Sequence, residues 1–119
     1  MEIGDGSGTE FTPVELLLAA IGGCAAIDVD LITSRRAEPV EFHVQVSGDK
    51  IRDDAGQNRM QNLAVTFTVR FAEGEAGDAA RATLPDAVEM SHRRLCTVSR
   101  TVEDGTPVAF SLTDESADR

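Results

Sequence analysis

The stretch TPVELLLAAIGGCAAIDVDLITSRR, residues 12–36, decides how this chain folds. Three residues mark a helix start: Thr12 as the N-cap, Pro13 at the first helical position and Glu15 three residues after the cap. Residues 16–27 contain no charged side chain. Because a helix on a domain surface is apolar on one face only, this segment predicts a helix that is buried nearly all round.

A cysteine stands in the middle of this helix, directly after two glycines. Gly22 and Gly23 each cost about 1 kcal/mol relative to alanine inside a helix. Their presence predicts that something approaches the backbone closely just before Cys24, in a crowded and apolar place. Twelve such residues are too few to cross a bilayer, and no other apolar run is long enough, so we expect no membrane span.

Length and charge restrict the function classes. A chain of 119 residues suffices for a single domain, residues 1–119, with a flexible glycine-rich lead-in over residues 1–11 and a loose polar tail over residues 114–119. The net charge of −10 would repel nucleic acid and anionic membranes, which leaves small molecules and proteins as partners. The opening MEIGDGSGTEF is not a signal peptide, so we expect a cytoplasmic protein.

Alternating patterns follow the helix. Apolar and polar residues alternate over residues 40–47 and again over residues 63–71, with turn residues between them, and predict an antiparallel hairpin with one buried face. The second half predicts a main helix over residues 86–95, a short helix over about residues 97–105 and a closing strand over residues 108–112. Asp78 is a candidate cap for a helix that Pro85 either kinks or restarts, and the main helix is placed after that proline.

The predicted order of helix, hairpin, helix and strand indicates an α+β domain, with an antiparallel sheet packed on the long helix. Three one-faced strands leave sheet edges exposed and cover such a helix poorly on all its sides. A partner chain would supply the missing cover, which favours a homodimer.

Cys24 and Cys96 are the candidate reactive residues. In a reducing compartment a cysteine pair favours redox chemistry over a permanent disulfide, and buried, inert cysteines are the alternative. Cys96 follows the basic turn of residues 92–94 at a predicted helix start, where the dipole and free amide groups favour a thiolate. Three arginines are candidates for lowering a thiol pKa, or else solvated surface charges: Arg93, Arg94 and Arg100.

No metal or nucleotide motif accompanies the cysteines. His43 and His92 fit no metal spacing with them, and the sequence has neither C-x-x-C, H-E-x-x-H nor a phosphate-binding glycine loop followed by lysine. We therefore predict no metal site and no cofactor. Asp28 and Asp30 are interpreted as marking where the helix emerges toward solvent.

Two motifs carry a family resemblance. TPVELLLAAIGGCAAIDV, residues 12–29, followed by SHRRLCTVSRTV, residues 91–102, closely resembles the OsmC/Ohr family of osmotically inducible and organic-hydroperoxide-resistance proteins. The match runs over roughly residues 4–113 and looks more like the broad OsmC-like branch than the Ohr branch. The resemblance implies an intertwined homodimer in which two long central helices are wrapped by sheets.

The resemblance also implies a mechanism. In the members that are peroxidases, the cysteine matching Cys24 attacks an organic hydroperoxide and becomes a sulfenic acid. The cysteine matching Cys96 then condenses with it to a disulfide, which an external dithiol reduces. The family's activating arginine lies on an N-terminal strand before the glycine-rich lead-in. We expect it to be missing from this sequence, either because the sequence is a shortened form or because this member lacks the strand. The glutamate that holds the arginine in the Ohr branch aligns with Val14 rather than Glu15.

Two functions of different classes follow. The first is a thiol-dependent peroxidase for organic hydroperoxides, with an apolar pocket lined by the central helix and its dimer mate. We expect its activity to be weak without the arginine, and stronger toward bulky organic hydroperoxides than toward hydrogen peroxide. The second is a non-catalytic binding or structural dimer that keeps the scaffold and an apolar pocket.

Overall fold

The computed structural model describes residues 3–113. Its first element is helix α1, Pro13–Thr33. The backbone N–H of Glu15 donates to Oγ1 of Thr12 at 3.2 Å, and the backbone N–H of Thr12 donates to Oε1 of Glu15 at 2.9 Å. These reciprocal bonds satisfy two amide groups that a helix start leaves unpaired. The predicted capping box is confirmed.

A long hairpin follows α1. Strand β1, Glu41–Arg52, pairs antiparallel with strand β2, Asn58–Arg70. The turn is closed by Asp53, whose Oδ1 accepts the backbone N–H groups of Ala55 and Gln57 at 3.0 and 2.9 Å. The predicted hairpin is confirmed, and its strands extend further toward the turn than the alternating pattern indicated.

The second helix is longer than predicted. Helix α2 spans Glu75–Met90 and contains Pro85, and a single π-helical turn, Ser91–Leu95, continues it. The main helix placed near residues 86–95 therefore starts too late, and the structure supports the alternative of a helix that begins near Asp78 and continues through Pro85. Proline removes one backbone hydrogen bond, but α2 continues through it because the alanines on both sides, Ala80 and Ala87, are fully buried. Packing outweighs the local cost.

The short helix α3, Thr97–Glu103, lies where the sequence placed it. Gly105 follows with a φ of +62°, in the left-handed region that favours glycine just after a helix. The predicted closing strand over residues 108–112 is wrong for the described chain. Residues 106–113 form no strand, and Val108, Phe110 and Leu112 are 78%, 93% and 93% exposed.

The missing strand has a physical reason. An alternating segment becomes a strand only where a sheet edge can pair with it and an apolar surface can cover one face. Within residues 3–113 the sheet has two strands, β1 and β2, and neither takes up the C-terminal segment. The predicted loose tail, residues 114–119, lies outside the described residues.

The core lies between the inward face of α1, the hairpin and α2. Ile21, Ala25 and Val29 of α1 are buried there, together with residues from the later elements, namely Phe71, Ala80, Ala87 and Cys96. Gly22 is also buried, and a Cβ at this position would collide with Cγ2 of Val46 on β1. The predicted close approach to the helix backbone is confirmed at this glycine.

The opposite face of α1 is open. Ile27 and Leu31 are 63% and 60% exposed, and nothing lies within 4 Å of a Cβ built at Gly23. The prediction of burial all round is therefore wrong for a single chain. Within residues 3–113, helices α2 and α3, the π-helical turn and the hairpin cover only one side of α1, because β1 and β2 form one narrow layer.

Helix α1 is long and apolar enough to cross a membrane, on length and composition alone. The prediction of no membrane span considered only the twelve uncharged residues 16–27 as the apolar segment, whereas the helix extends over Pro13–Thr33. Core helices of soluble proteins share this length and composition but are mostly buried, whereas 28% of the most apolar stretch of α1 is buried in the single chain. Here α1 packs on α2, β1 and α3 in an α+β arrangement that is typical of a soluble globular protein.

Candidate functional site

Three side chains meet where α1 passes the start of α3. The sulfurs of Cys24 and Cys96 and a carboxylate oxygen of Asp28 lie within 4.8 Å of one another. Cys24 and Asp28 are four residues apart on α1 and therefore share one face of the helix. Cys96 reaches them from the junction of the π-helical turn and α3. We call these three residues the thiol cluster.

Cys96 is completely buried and is the N-cap of α3. Its Sγ accepts the backbone N–H of Ser99 at 3.4 Å and donates to Oγ of Ser99 at 3.3 Å. The backbone N–H of Cys96 donates to the carbonyl oxygen of Ser91 at 2.8 Å, which ties the cysteine to the π-helical turn. The prediction that a helix starts at this cysteine is confirmed.

Cys24 is half-buried, and both cysteines are free thiols. The largest single influence on the pKa of Cys24 is a hydrogen bond from the backbone N–H of Val98, which lowers it, and the N–H of Thr97 acts in the same direction. Burial and the neighbouring Cys96 thiol raise the pKa and together prevail, so it lies above the ordinary value for a cysteine. The first turn of α3 supports a thiolate without making it the main form at neutral pH.

Asp28 is the member of the cluster that sequence reasoning missed. Instead of marking the emergence of α1 toward solvent, Asp28 is half-buried, and its Oδ2 accepts a hydrogen bond from Oγ of Ser91 at 3.0 Å. Ser91 itself is fully buried. The spacing of four residues from Cys24 on a predicted helix was the signal that could have found Asp28.

The arginines considered from the sequence turn toward surface carboxylates. Nη1 of Arg93 lies 2.8 Å from Oε1 of Glu89, and Arg100 pairs with Glu103 at 2.9 Å and with Asp104 at 3.1 Å. Arg94 is exposed on the π-helical turn. These positions favour the interpretation of solvated surface charges over that of thiolate-activating cations.

A mainly apolar cavity of about 300 Å³ opens beside the cluster. Cys96 and Ser91 contribute to its wall, and Nε2 of His92 lies 2.7 Å from Oε1 of Glu103 where both side chains reach solvent. Among the described residues no lysine or arginine lines this cavity. The apolar part of the lining comes from α1, β2, α2 and α3: Ile21, Ala25, Leu63, Val65, Phe67, Val88 and Val102.

The family model described as OsmC-like protein matches residues 4–111. The chain belongs to the OsmC-like family. The resemblance read from the two cysteine motifs is therefore confirmed. A comparison with curated proteins finds no match.

Solved structures share the fold. A chain described only as structural genomics is 27% identical, with a TM-score of 0.66 over 85% of this chain and 70% of that one. An OsmC-like protein of unknown function from Vibrio cholerae is 13% identical, with a TM-score of 0.61 over 79% of this chain and 60% of that one. An OsmC-like protein from Mycoplasma pneumoniae is 16% identical, with a TM-score of 0.60 over 84% and 67%.

Proposed function

We propose that this chain is a thiol-dependent peroxidase that reduces organic hydroperoxides. One observation carries the proposal: the sulfurs of Cys24 and Cys96 lie within 4.8 Å of each other, beside an apolar cavity of about 300 Å³. A disulfide needs the two sulfurs about 2.05 Å apart, so side-chain rotation with a small backbone adjustment would join them. Membership of a family that includes peroxidases supports the same chemistry.

In the proposed reaction, the half-buried Cys24 is the nucleophile and the buried Cys96 is the resolving thiol. The Cys24 thiol loses its proton and the thiolate attacks the hydroperoxide, so that an S–O bond forms while the O–O bond breaks. The alkoxide that leaves takes up that proton and becomes the alcohol. The sulfur of Cys96 then attacks the Cys24 sulfenic acid, and water leaves as the disulfide forms. An external dithiol reduces this disulfide to two thiols and is itself oxidised to a disulfide.

The cavity lies on the Cys96 side of the cysteine pair, and Cys24 is not among its lining residues. Its apolar wall supports a preference for organic substrates. Burial of an alkyl group against its apolar wall is worth about 25 cal/mol per Å² of apolar surface, a contribution that hydrogen peroxide cannot gain. The raised pKa of Cys24 argues for slow turnover, because only the thiolate is a strong nucleophile. The same observation favours the second candidate, a non-catalytic dimer that keeps the scaffold and an apolar pocket.

We also propose that the protein is a homodimer formed on the open face of α1. Four small or apolar residues line this face at helical spacing: Ala20, Gly23, Ile27 and Leu31. A contiguous exposed stripe of this kind marks an interface more often than a free surface. Glycine at its centre would let a second helix come close to the backbone.

The shape of the chain supports the dimer. Its radius of gyration is 19.1 Å, whereas a compact chain of 119 residues is expected to have a value of about 13.5 Å. The C-terminal segment, with the exposed residues Val108, Phe110 and Leu112, has the pattern of a strand without a sheet edge to join. We propose that a second copy supplies that edge.

We also propose that the protein is cytoplasmic, because free thiols persist in a reducing compartment.

Steady-state kinetics test the peroxidase proposal. With a dithiol reductant, a tertiary alkyl hydroperoxide is expected to be the better substrate than hydrogen peroxide, and Cys24→Ser is expected to abolish turnover. Cys96→Ser is the matched variant, because it should be oxidised to the Cys24 sulfenic acid without forming the internal disulfide. Unchanged turnover in Cys24→Ser, or a preference for hydrogen peroxide, would contradict the mechanism. A folded wild-type dimer with no turnover would favour the non-catalytic function.

A further inference from the structure

Beyond the peroxidase, and independently of it, we infer that the reduced thiol cluster binds a thiophilic divalent metal ion, with Zn²⁺ as the best match. The cluster presents two sulfurs and one carboxylate oxygen within 4.8 Å of one another. Zinc takes cysteine sulfur at about 2.3 Å and carboxylate oxygen at about 2.0–2.2 Å, commonly with three protein ligands and one open position. Two thiolates select zinc over the hard ions Mg²⁺ and Ca²⁺.

The ligand atoms of the cluster are almost as close together as the ligands of a bound zinc ion. With these bond lengths, the ligand atoms of a tetrahedral site lie about 3.3–3.8 Å apart, so the widest possible separation in the cluster, 4.8 Å, exceeds this by only about 1 Å. Cys24 and Asp28 approach from one face of α1, and Cys96 approaches from the start of α3. Small side-chain rotations on two packed elements would close the site.

The cluster also has the supporting hydrogen bonds that a metal site needs. Oγ of the fully buried Ser91 donates to Oδ2 of Asp28 at 3.0 Å and holds the carboxylate in place. The backbone N–H of Ser99 donates to Sγ of Cys96 at 3.4 Å. Such outer partners orient metal ligands, and their loss typically lowers metal affinity about 10–100-fold.

Charge and access favour a cation at this place. No lysine or arginine lines the adjoining cavity among the described residues, so no cationic side chain there competes with a metal ion for the ligand atoms. A bound divalent ion would displace the thiol protons. Of the three cluster residues only Cys96 lines the cavity, so a water molecule or a small ligand in the fourth coordination position would have to approach from the Cys96 side.

Cobalt titration of the reduced full-length chain under anaerobic conditions tests the inference. We expect one Co²⁺ per chain with sulfur-to-cobalt charge-transfer absorption, reversed by added Zn²⁺. Cys24→Ser should abolish that absorption, and Asp28→Asn should weaken binding by at least about 10-fold. Asp30→Asn is the matched control, because Asp30 lies on the same helix, is also half-buried and stands outside the cluster. Its affinity should equal that of the wild type.

Cobalt bound without the charge-transfer absorption, or equal affinity in Asp28→Asn and the wild type, would overturn the inference. A second measurement needs no variant: one equivalent of Zn²⁺ should protect both thiols of the wild-type chain from alkylation, and equal alkylation with and without zinc would also overturn it. Neither readout depends on turnover. A chain that fails as a peroxidase can therefore still confirm the metal site, and the converse holds as well.

Discussion

Two adjacent glycines on α1 experience opposite surroundings. A side chain at Gly22 would collide with Val46 of the hairpin, whereas a side chain at Gly23 would meet nothing within 4 Å. Both glycines cost the helix the same local free energy. The contact with Val46 explains why residue 22 is a glycine, whereas no contact within the chain explains the glycine at residue 23. This difference separates an inward face of α1 that the chain completes by itself from an outward face that we propose a second copy completes.

The largest effect is expected from charge placed on the inward face. Val29 is fully buried, so Val29→Asp should unfold the protein, because an unpaired buried charge costs several kcal/mol against a total stability of about 5–15 kcal/mol. Ile27→Asp, on the outward face, should leave the secondary structure intact and dissociate the dimer. Circular dichroism with sedimentation velocity distinguishes the two outcomes.

Met90→Asp is the control for this pair, since Met90 is an exposed apolar residue at the end of α2. It should affect neither folding nor assembly. If Ile27→Asp remains a dimer, or the wild type sediments as a folded monomer at micromolar concentration, the outward face is not the interface.

A smaller effect is expected from the glycines themselves. Gly22→Ala should lower the free energy of unfolding by about 1–3 kcal/mol, because the added methyl group overpacks the contact with Val46. Gly23→Ala lacks that clash, so the single chain should gain up to about 1 kcal/mol of helix stability, and any cost should appear in dimer dissociation. Urea denaturation at several protein concentrations measures both. If both variants lower the free energy of unfolding equally at every protein concentration, the two faces of α1 do not differ in the way proposed.

The C-terminal segment gives a weaker test of the same contrast. Val108 is largely exposed in the single chain, so Val108→Ala should not change the stability of the monomer. If the segment pairs with a second copy, the lost methyl groups should weaken the dimer by up to about 1.5 kcal/mol. Glu73→Ala, an exposed loop change, serves as the control. A dimer dissociation constant equal to that of the wild type would show that the segment stays outside the interface.

The smallest effect is expected for the alkylation rate of Cys24. Because burial and Cys96 keep the pKa of Cys24 above its ordinary value, alkylation at pH 7 in the presence of a chelator should be no faster than for an exposed cysteine. The rate should rise about 10-fold per pH unit, as the thiolate fraction does, until the pH passes that pKa. Fast alkylation that levels off below pH 7 would show that a cation lowers the pKa.

Local signals predicted most of the fold. The capping residues of α1, the alternation in the hairpin and the start of α3 at Cys96 depend on neighbours in sequence, and the structure confirms all three. The α2 boundary was missed because the burial of Ala80 and Ala87 is a tertiary effect that a proline-based rule does not include. The closing strand was predicted from a pattern that requires a partner edge, which one chain does not offer.

The candidate site was predicted only in part, because it also depends on tertiary packing that the sequence does not show. Two cysteines flanked by unusual backbone features were recognisable in sequence, and their proximity is confirmed. Asp28 joins them only because α1 and the start of α3 are packed together. Metal motifs rely on ligands close in sequence, so a cluster assembled from Cys24, Asp28 and the distant Cys96 gives no such signal.

Intact-mass measurement of the metal-free chain after one equivalent of an organic hydroperoxide tests the proposed cysteine chemistry most directly. We expect the wild type to lose two hydrogen atoms as Cys24 and Cys96 join, and Cys96→Ser to gain one oxygen atom at Cys24 instead. A wild-type mass that does not change, while the folded dimer persists, would contradict the peroxidase proposal. Oxygen added to the wild type without disulfide formation would contradict the resolving role of Cys96.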